Sequence, residues 1–414
     1  MPLKCVRRAD CRLCGSTALE LVISLRPTPP ANAFVPAALV GHSQACFPLE
    51  VYFCNQCSHV QLLDVVDPQE LFGNYVYVSG TSPSFVKHFE DYASQILRIY
   101  QPASGALVVD IGSNYGTLLK CFKRRGLRVL GIDPARAIAE AATAHGIETW
   151  AEFFQPEVAS RIVAELGTAK LLTANNVFAH ADNLGLMAES VRILLAQDGV
   201  FTFEVSYLAD VYNGTLFDTI YHEHLSYHSV RPLIGFFVKY GLELIRVDRV
   251  SSHGGSIRCH VQHRSGPHSR HASVTQLSEL EESLGLDNAD TLHKFGAKID
   301  LVRDALVGLL QQLKSEGKRI AGFGAPAKAT TLMYHFGLGP DQIEFLVDDS
   351  PLKQGLFTPG MHIPVLPSTE LAMRQPDYTV ILAWNFADAI ISQNQQYLNA
   401  GGHFIVPLPD IKVI

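Results

Sequence analysis

The stretch Leu107–Asp133, LVVDIGSNYGTLLKCFKRRGLRVLGID, decides the fold of the region around it. It combines a hydrophobic run, a glycine-rich turn, a helical stretch over 116–124 and a second hydrophobic run. Further hydrophobic runs at 170–177 and 199–205 continue this alternation. Because strands separated by helices form parallel sheets with crossover connections, we predict a doubly wound α/β domain here.

The composition sets limits on size and partners. The chain has 414 residues, of which 18% are charged and 47% hydrophobic, as in ordinary soluble globular proteins. This length predicts two or three domains. The formal net charge of −7 gives no global attraction to phosphate backbones, so we expect no nucleic acid partner. We see neither a membrane-spanning hydrophobic run nor a secretory signal, and we expect a cytoplasmic protein without a membrane partner.

Two C-x-x-C pairs stand near the N-terminus. They are Cys11 with Cys14 and Cys54 with Cys57. In a reducing compartment these cysteines should not form disulfides, and four thiolates suit a closed tetrahedral zinc site of the structural kind. A redox-active pair is the alternative, but two such pairs together argue against it. A bound metal would stabilise a small β module that has little core of its own.

The glycine-rich turn of the opening stretch carries a cofactor motif. The NAD fingerprint G-x-G-x-x-G is not met, because Asn114 stands where its second glycine would be. The D-x-G-x-x-x-G spacing resembles motif I of S-adenosylmethionine (SAM) methyltransferases. Asp133 ends the next strand, where a carboxylate can accept both hydroxyls of a ribose. The candidate cofactor-binding residues are Asp110, Gly112, Ser113, Asn114, Gly116, Asp133, Pro134, Phe153 and Asn175.

Other interpretations of this motif stay open. The turn can be a purely structural strand–turn–helix connection whose polar residues cap the helix. Phe153 and Phe154 can flank an adenine ring or be ordinary core aromatics. The acidic end of the second strand and Asn175 at the end of the next one favour the cofactor.

A histidine-rich segment, YHEHLSYH at 221–228, follows the strand at 199–205. It lies where the carboxyl ends of parallel strands meet, which is the ligand-binding edge of open α/β sheets. A neutral histidine is a suitable base near pH 7. Successive side chains of an extended loop face opposite ways, so these side chains converge only if the loop is kinked. The alternatives are a polar loop with incidental histidines, or histidines buried in the core.

A second α/β unit follows a polar stretch and a long helix predicted over 291–315. Its strands are expected at 319–324, 343–349, 378–384 and 403–409. The turn GFGAPAK at 322–328 can offer backbone N–H groups to a phosphate at a helix N-terminus, with Lys328 adding charge. The alternative is a turn that binds nothing. Trp384 can stack on a nucleobase or simply pack.

Together these motifs resemble the sugar C-methyltransferases that act on nucleotide-linked keto-deoxysugars. That family combines a four-cysteine zinc module, a SAM domain and a C-terminal Rossmann-like domain. The matching segments cover nearly the whole chain: the four cysteines, YVYVSGTS at 75–82, VVDIGSNYG at 108–116, NNVFAH at 175–180, YHEHLSYHS at 221–229, HGGSIR at 253–258, GFGAPAK at 322–328 and AWNF at 383–386.

The resemblance implies an α/β protein of three domains. Residues 1–65 form an N-terminal zinc-binding β module. Residues 66–265 form a central Rossmann-like SAM-methyltransferase domain with a helical lead-in over 66–100 and a final hairpin over 242–262. Residues 266–414 form a second Rossmann-like domain that binds the nucleotide sugar. We expect a monomer or a small homo-oligomer.

The resemblance also implies a reaction, which is methyl transfer to carbon 3 of a 4-keto-deoxysugar linked to dTDP, GDP or CDP. His224 is the implied base, with Glu223 and Tyr221 orienting or polarising. His180 and Tyr221 are implied donors to the enolate oxygen. The implied substrate-binding residues are Tyr75, Tyr77, His222, His253, Gly324, Lys328, Trp384 and Asn385.

Two other functions are compatible with parts of the sequence. The SAM domain would also allow O- or N-methylation of a small metabolite. A non-catalytic zinc- and nucleotide-binding protein is the third possibility. The GFGAPAK domain favours the sugar C-methyltransferase, because simple O-methyltransferases have no need of it.

Overall fold

The structure is a computed structural model that describes residues 5–68, 71 and 83–414, without the side chains of 83–85 and 253. In this part of the chain the strands form four sheets. The sequence-predicted residues Tyr75 and Tyr77 lie outside the described residues.

The N-terminal module is built from short antiparallel strands. β1 pairs with β5, and β2, β3 and β4 form a meander. The predicted alternation in β3 is present, with every second side chain buried from Phe47 to Phe53. The strands are β1 Cys5–Arg7, β2 Leu19–Thr28, β3 Phe47–Cys54, β4 Val60–Leu62 and β5 Asp64–Val66, and a 3-10 helix spans Ala37–Leu39.

The central region alternates strands and helices, as predicted. Its elements are α1 Pro83–Tyr100, β6 Leu107–Ile111, α2 Thr117–Lys123, β7 Arg128–Ile132, α3 Arg136–Ala144, β8 Thr149–Trp150, α4 Pro156–Leu166, β9 Ala169–Asn175, α5 Leu184–Leu194, β10 Leu195–Ser206, α6 Leu208–Asn213, a 3-10 helix Phe217–Thr219, β11 Ser226–Tyr227, α7 Val230–Lys239, β12 Leu242–Val250, a 3-10 helix Ser252–Gly254 and β13 Ser256–His263.

Seven of these strands make one doubly wound sheet, which confirms the predicted fold class. Its order is β12-β13-β10-β9-β6-β7-β8, and β6 to β10 are parallel. The predicted final hairpin is also present, because β13 pairs antiparallel with both β12 and β10. The chain reverses direction across the sheet between β6 and β9, which is where open α/β sheets bind ligands.

The histidine-rich segment joins the N-terminal sheet. Its strand β11 pairs with β4, so that Ser226 lies opposite Gln61 and Tyr227 opposite Val60. The backbone N–H of Leu225 donates to the carbonyl of Ala179, which follows β9. This segment is therefore tied both to the N-terminal module and to the carboxyl edge of the central sheet.

The C-terminal region is a second doubly wound sheet in the order β16-β15-β14-β17-β18-β19, parallel except for β19. The long helix predicted over 291–315 is confirmed as α9. The elements are α8 Ser273–Ser283, α9 Ala289–Ser315, β14 Ile320–Phe323, α10 Ala327–Phe336, β15 Leu346–Val347, β16 Val365–Leu366, α11 Thr369–Arg374, β17 Tyr378–Ile381, a 3-10 helix Trp384–Phe386, α12 Ala387–Gln393, α13 Gln395–Asn399, β18 His403–Val406 and β19 Lys412–Val413.

The C-terminal helices connect this region to the rest of the molecule. α9 packs along β2, and α10 contacts both β2 and the 3-10 helix Phe217–Thr219. Within the described ranges, no helix combines the length and hydrophobicity that a membrane crossing would require.

Candidate active site

The four cysteines of the C-x-x-C pairs form one cluster, whose sulfur atoms all lie within 4.8 Å of one another. The Sγ–Sγ distances are 3.6 Å both for Cys11 with Cys57 and for Cys14 with Cys54. Zinc–thiolate bonds of about 2.3 Å in a tetrahedron put the sulfur atoms roughly 3.8 Å apart, so this set fits a zinc ion. Because four thiolates leave no open coordination position, the zinc is structural.

The turn after β6 is hydrogen-bonded to Asp133, which follows β7. The carboxylate of Asp133 accepts hydrogen bonds from the backbone N–H of Asn114 (2.9 Å) and of Ala135 (3.0 Å). Burial raises the pKa of Asp133, and these two donors oppose the rise. Gly112 has φ +68°, and a Cβ there would lie 2.4 Å from Val177 Cγ2, so the turn needs glycine at this position.

Two buried polar atoms beside this turn indicate a ligand. Ser113 Oγ and Asn175 Oδ1 have no hydrogen-bond partner among the described residues, although both atoms are buried. Ser113 lies in the turn after β6 and Asn175 ends β9, and these two strands flank the reversal of the sheet. Buried polar groups are almost always paired, so a polar ligand at this edge would satisfy them. The glycine turn, the acidic strand end and these atoms fit SAM.

The other predicted cofactor residues lie around this edge. Asp110 is buried inside the sheet and accepts a hydrogen bond from Thr173 Oγ1 at 2.5 Å, while burial raises the pKa of Asp110 to about 7. Gly116 has φ +68° at the start of α2. Pro134 follows Asp133, and Phe153 is partly buried after β8, whereas Phe154 belongs to the core.

A kink brings Tyr221 and His224 to one side of the histidine-rich loop. The backbone N–H of His224 donates to the carbonyl of Tyr221, and the Tyr221 hydroxyl lies 2.9 Å from His224 Nε2. His224 Nδ1 lies 2.8 Å from the carbonyl oxygen of Thr219. Because a carbonyl oxygen only accepts, we assign the ring proton to Nδ1, and Nε2 then accepts from Tyr221.

His180 completes this group from the loop after β9. Its ring centroid is 5.0 Å from that of His224. Burial, and then the neighbouring His224, lower the pKa of His180 well below its usual value, so His180 is neutral near pH 7. The structure therefore assembles three of the predicted catalytic side chains at the carboxyl edge of the central sheet.

The two residues between Tyr221 and His224 contact the N-terminal module. Glu223 is buried and accepts a hydrogen bond from Asn32 Nδ2 at 2.8 Å. His222 is 1% exposed, lies edge-on to the ring of Phe47, and places Nε2 3.3 Å from the carbonyl of Phe47. This burial argues against the substrate contact that the sequence predicted for His222, and it lowers the pKa of His222 to about 4.

Trp384 and Lys328 of the C-terminal region lie at the 3-10 helix Phe217–Thr219, which precedes the histidine-rich segment. Trp384 Nε1 donates to Asp218 Oδ2 at 2.6 Å, and Lys328 Nζ lies 3.6 Å from the centroid of the Trp384 ring. Trp384 is 8% exposed, which favours the packing alternative over a stacked nucleobase. Lys328 is partly exposed, and desolvation lowers its pKa to about 8. No motif in the sequence pointed to Asp218.

The glycine turn after β14 is hydrogen-bonded to an acidic side chain of the protein itself, Asp348. The N–H of Ala325 donates to Asp348 Oδ2 at 2.7 Å, and the N–H of Gly324 donates to the carbonyl of Val347. Lys353 Nζ donates to the carbonyl of Ala325 at 2.8 Å. A phosphate at this turn would meet the Asp348 carboxylate, so the structure argues against the predicted phosphate contact at Gly324.

The remaining predicted residues are near the contact between the central and C-terminal regions. Asn385 follows Trp384 in a 3-10 helix and is partly exposed. The backbone of His253 belongs to the 3-10 helix that precedes β13. Its neighbour Gly254 packs against the Trp384 ring, since a Cβ there would lie 2.9 Å from Cη2.

The arginine of HGGSIR, whose role no sequence pattern indicated, belongs to a buried polar network. Arg258 is 3% exposed, donates to Glu204 through Nε at 2.7 Å, and lies over the ring of Tyr92. The second oxygen of Glu204 contacts His88 Nε2 at 2.8 Å. This network fixes α1 on the central sheet beside Asn175, which lies opposite Glu204 in the register.

Comparisons with protein families match three consecutive parts of the chain. A zinc binding domain matches residues 11–72, a methyltransferase domain residues 85–247, and a C-methyltransferase C-terminal domain residues 251–409. Among curated proteins, the C-methyltransferase NovU of Streptomyces niveus is 36% identical over 405 residues, which cover 98% of this chain and 96% of NovU.

Solved structures resemble a smaller part of the chain. A SAM-dependent methyltransferase from Anabaena variabilis has a TM-score of 0.34 at 16% identity, covering 46% of this chain and 100% of that one. Magnesium protoporphyrin IX methyltransferase from Synechocystis with bound SAM has a TM-score of 0.32 at 13% identity, covering 42% and 78%. Each of these similarities extends over less than half of the chain.

Proposed function

We propose, because this chain belongs to the C-methyltransferase family, that it methylates carbon 3 of a nucleotide-linked 4-keto-deoxysugar. The chain is a SAM-dependent enzyme, and the proposal concerns its substrate and its catalytic residues. The observation that carries it is the Tyr221–His224 pair beside His180 at the ligand-binding edge of the central sheet. A 4-keto group acidifies the C3 proton, and this pair is a base with an adjacent hydroxyl donor.

His224 is the proposed base. Its Nδ1–H is held by the carbonyl of Thr219, which fixes the tautomer and leaves Nε2 as the basic atom. When the sugar binds, the Tyr221 hydroxyl turns from Nε2 to the keto oxygen, and Nε2 takes the C3 proton. The C3–H electron pair moves into the enolate, and the imidazolium keeps its hydrogen bond to Thr219.

The enolate oxygen needs donors, because charge develops there. Tyr221 and neutral His180 are the proposed donors. Glu223 is held by Asn32 and contributes by fixing the loop against the N-terminal module. We place the diphosphate near Lys328, a partly exposed residue whose amino group lies over the Trp384 ring.

SAM supplies the electrophilic methyl group. We propose that it is held by the turn after β6, by Asp133 and by Asn175, because Ser113 Oγ and Asn175 Oδ1 are buried there without a partner among the described residues.

Replacing Asp133 with asparagine is expected to weaken SAM binding about 10- to 100-fold, since the amide removes one charged acceptor and turns a donor toward a backbone N–H. Isothermal titration with SAM measures the effect. Asp198→Asn is the control, because Asp198 is an exposed acid that pairs with Lys170 in the same domain. An unchanged Kd for the Asp133 variant would exclude it from the ribose site.

The proposed substrate class is tested with a panel of dTDP-, GDP- and CDP-linked 4-keto sugars. In D₂O, with S-adenosylhomocysteine in place of SAM, we expect the C3 proton of the true substrate to exchange, as read by mass or NMR. With SAM, the same sugar should gain one methyl group on carbon. A sugar without the 4-keto group should do neither, and it is the matched control.

The alternatives from the sequence give different results in this experiment. O- or N-methylation would add a methyl group without C3 exchange and would overturn the proposal. Methylation of a sugar without a keto group would overturn it as well.

A further inference from the structure

We infer that the C-terminal domain positions the catalytic base, by holding residues 217–220 so that the carbonyl of Thr219 stays on His224 Nδ1. This inference rests on the proposed role of His224. Thr331 and Trp384 are its positioning residues.

Three contacts, at Phe217, Asp218 and Ile220, hold this segment from the C-terminal side. The ring of Phe217 stacks on Phe336 of α10 with centroids 4.9 Å apart. Trp384 Nε1 donates to Asp218 Oδ2 at 2.6 Å, and Thr331 Oγ1 donates to the carbonyl of Ile220 at 2.6 Å. The residues on both sides of Thr219 are therefore anchored to the C-terminal domain.

Thr219 lies between these anchors, and its carbonyl oxygen accepts the hydrogen bond from His224, the proposed base. Its carbonyl oxygen is 2.8 Å from His224 Nδ1, while its own hydroxyl donates to the carbonyl of Leu216 at 2.7 Å. A rotation of the peptide between Thr219 and Ile220 would turn this oxygen away from the imidazole. The anchors at Asp218 and Ile220 oppose such a rotation.

The contacts are buried, as a positioning device requires. Phe217, Asp218 and Thr331 are fully buried, and Trp384 is nearly so. Burial raises the pKa of Asp218, while the positive charge of Lys328, the Trp384 donor and the backbone N–H groups of Asp218 and Thr219 stabilise its carboxylate. Burying a carboxylate costs free energy unless donors or positive charges compensate it, so Asp218 favours the position in which Trp384 donates to it.

In the C-terminal sheet, the edge where a nucleotide would bind in a doubly wound fold is already filled by the protein's own groups. At its reversal point, between β14 and β17, a Cβ on Gly324 would lie 2.5 Å from the Cβ of Ala383. Asp348 already occupies the N–H of Ala325. From this edge, Trp384 contacts Asp218, whereas Thr330 and Lys353 contact Ala31 and Phe34 of the N-terminal module.

Thr331→Val and Trp384→Phe test the inference in the full-length enzyme. Each removes one anchoring hydrogen bond and keeps the size or the ring of the side chain. We expect each to slow C3–H exchange at saturating sugar about tenfold, with KM for the sugar and Kd for SAM changed less than about threefold. Thr379→Val is the control, because Thr379 is buried in β17 and bonds Tyr397 within the domain. It should exchange at nearly the wild-type rate.

A second measurement needs no sugar. Spectra of ¹⁵N-histidine-labelled protein, with His224→Asn to identify the resonance, report the tautomer of His224. We expect the Nδ1-protonated form in the wild type and in Thr379→Val, and a tautomer mixture in Thr331→Val and Trp384→Phe.

The outcomes separate this inference from the proposed function. Wild-type exchange rates and an unchanged tautomer in both variants would overturn the inference, as would a higher KM with an unchanged rate at saturation. If the wild type exchanges no 4-keto sugar, the proposed function fails, and the tautomer measurement still decides whether the anchors position His224.

Discussion

His224→Asn is expected to slow methyl transfer and C3–H exchange together, with kcat reduced by about 10²- to 10⁴-fold. Asparagine cannot take up a proton at the place of Nε2, so the enolate does not form. SAM binding should be unaffected, because the proposed cofactor residues lie at the ends of β6, β7 and β9, outside the histidine-rich segment. The measurements are turnover with SAM, exchange in D₂O, and titration of SAM.

The control for this variant is His42→Asn, because His42 is an exposed histidine of the N-terminal module. It should retain wild-type turnover. If His224→Asn exchanged the C3 proton at the wild-type rate, another group would have to be the base. Tyr221→Phe adds a graded result, since it removes a proposed enolate donor but leaves Nε2 in place, and we expect partial activity.

Removing the zinc, by chelation or by Cys54→Ser, is expected to abolish turnover although no cysteine touches the substrate. Structural zinc contributes about 10–16 kcal/mol in small zinc-binding peptides, so the N-terminal sheet should unfold without it. That sheet pairs with β11 through β4, and the connection between β2 and β3 supplies Asn32 to Glu223. The histidine-rich segment, which carries Tyr221 and His224, therefore loses its support.

The matched control is Cys46→Ser, an exposed cysteine of the same module outside the cluster. Metal content, the circular-dichroism melting curve and turnover are measured on all three proteins. We expect Cys46→Ser to keep its zinc and its activity. Zinc-free protein that turned over at the wild-type rate would show that the module does not support the histidine-rich segment.

Much of the fold followed from local patterns. The hydrophobic run and glycine turn of β6, the repeated strand–helix alternation and the long α9 each depend on residues close in sequence. The four-cysteine cluster was predictable for a similar reason, because two C-x-x-C pairs specify the ligand number and type without any knowledge of the intervening chain.

The parts that sequence reasoning missed depend on contacts between distant residues. β11 is a two-residue strand whose partner β4 lies far away in the sequence, and no periodicity marks so short a strand. Asp218 and Asp348 are ordinary acidic residues until the fold brings Trp384 to one and the Ala325 N–H to the other.

The histidine-rich motif shows the same limit inside one segment. His222 and His224 have the same chemistry, and only the kink between Tyr221 and His224 decides which of them faces the base site. The sequence predicted that convergence requires a kink, but it could not say which side chains the kink would bring together. The structure buries His222 against Phe47 instead.

The addition of β11 to the zinc-bearing sheet has a consequence for protein engineering and for evolution by recombination. A crossover placed between the N-terminal module and the central domain would combine a β4 from one parent with a β11 from the other. The paired positions, Gln61 with Ser226 and Val60 with Tyr227, would then have to match across parents. Functional chimeras should inherit the N-terminal module and the histidine-rich segment together, as a single unit of exchange.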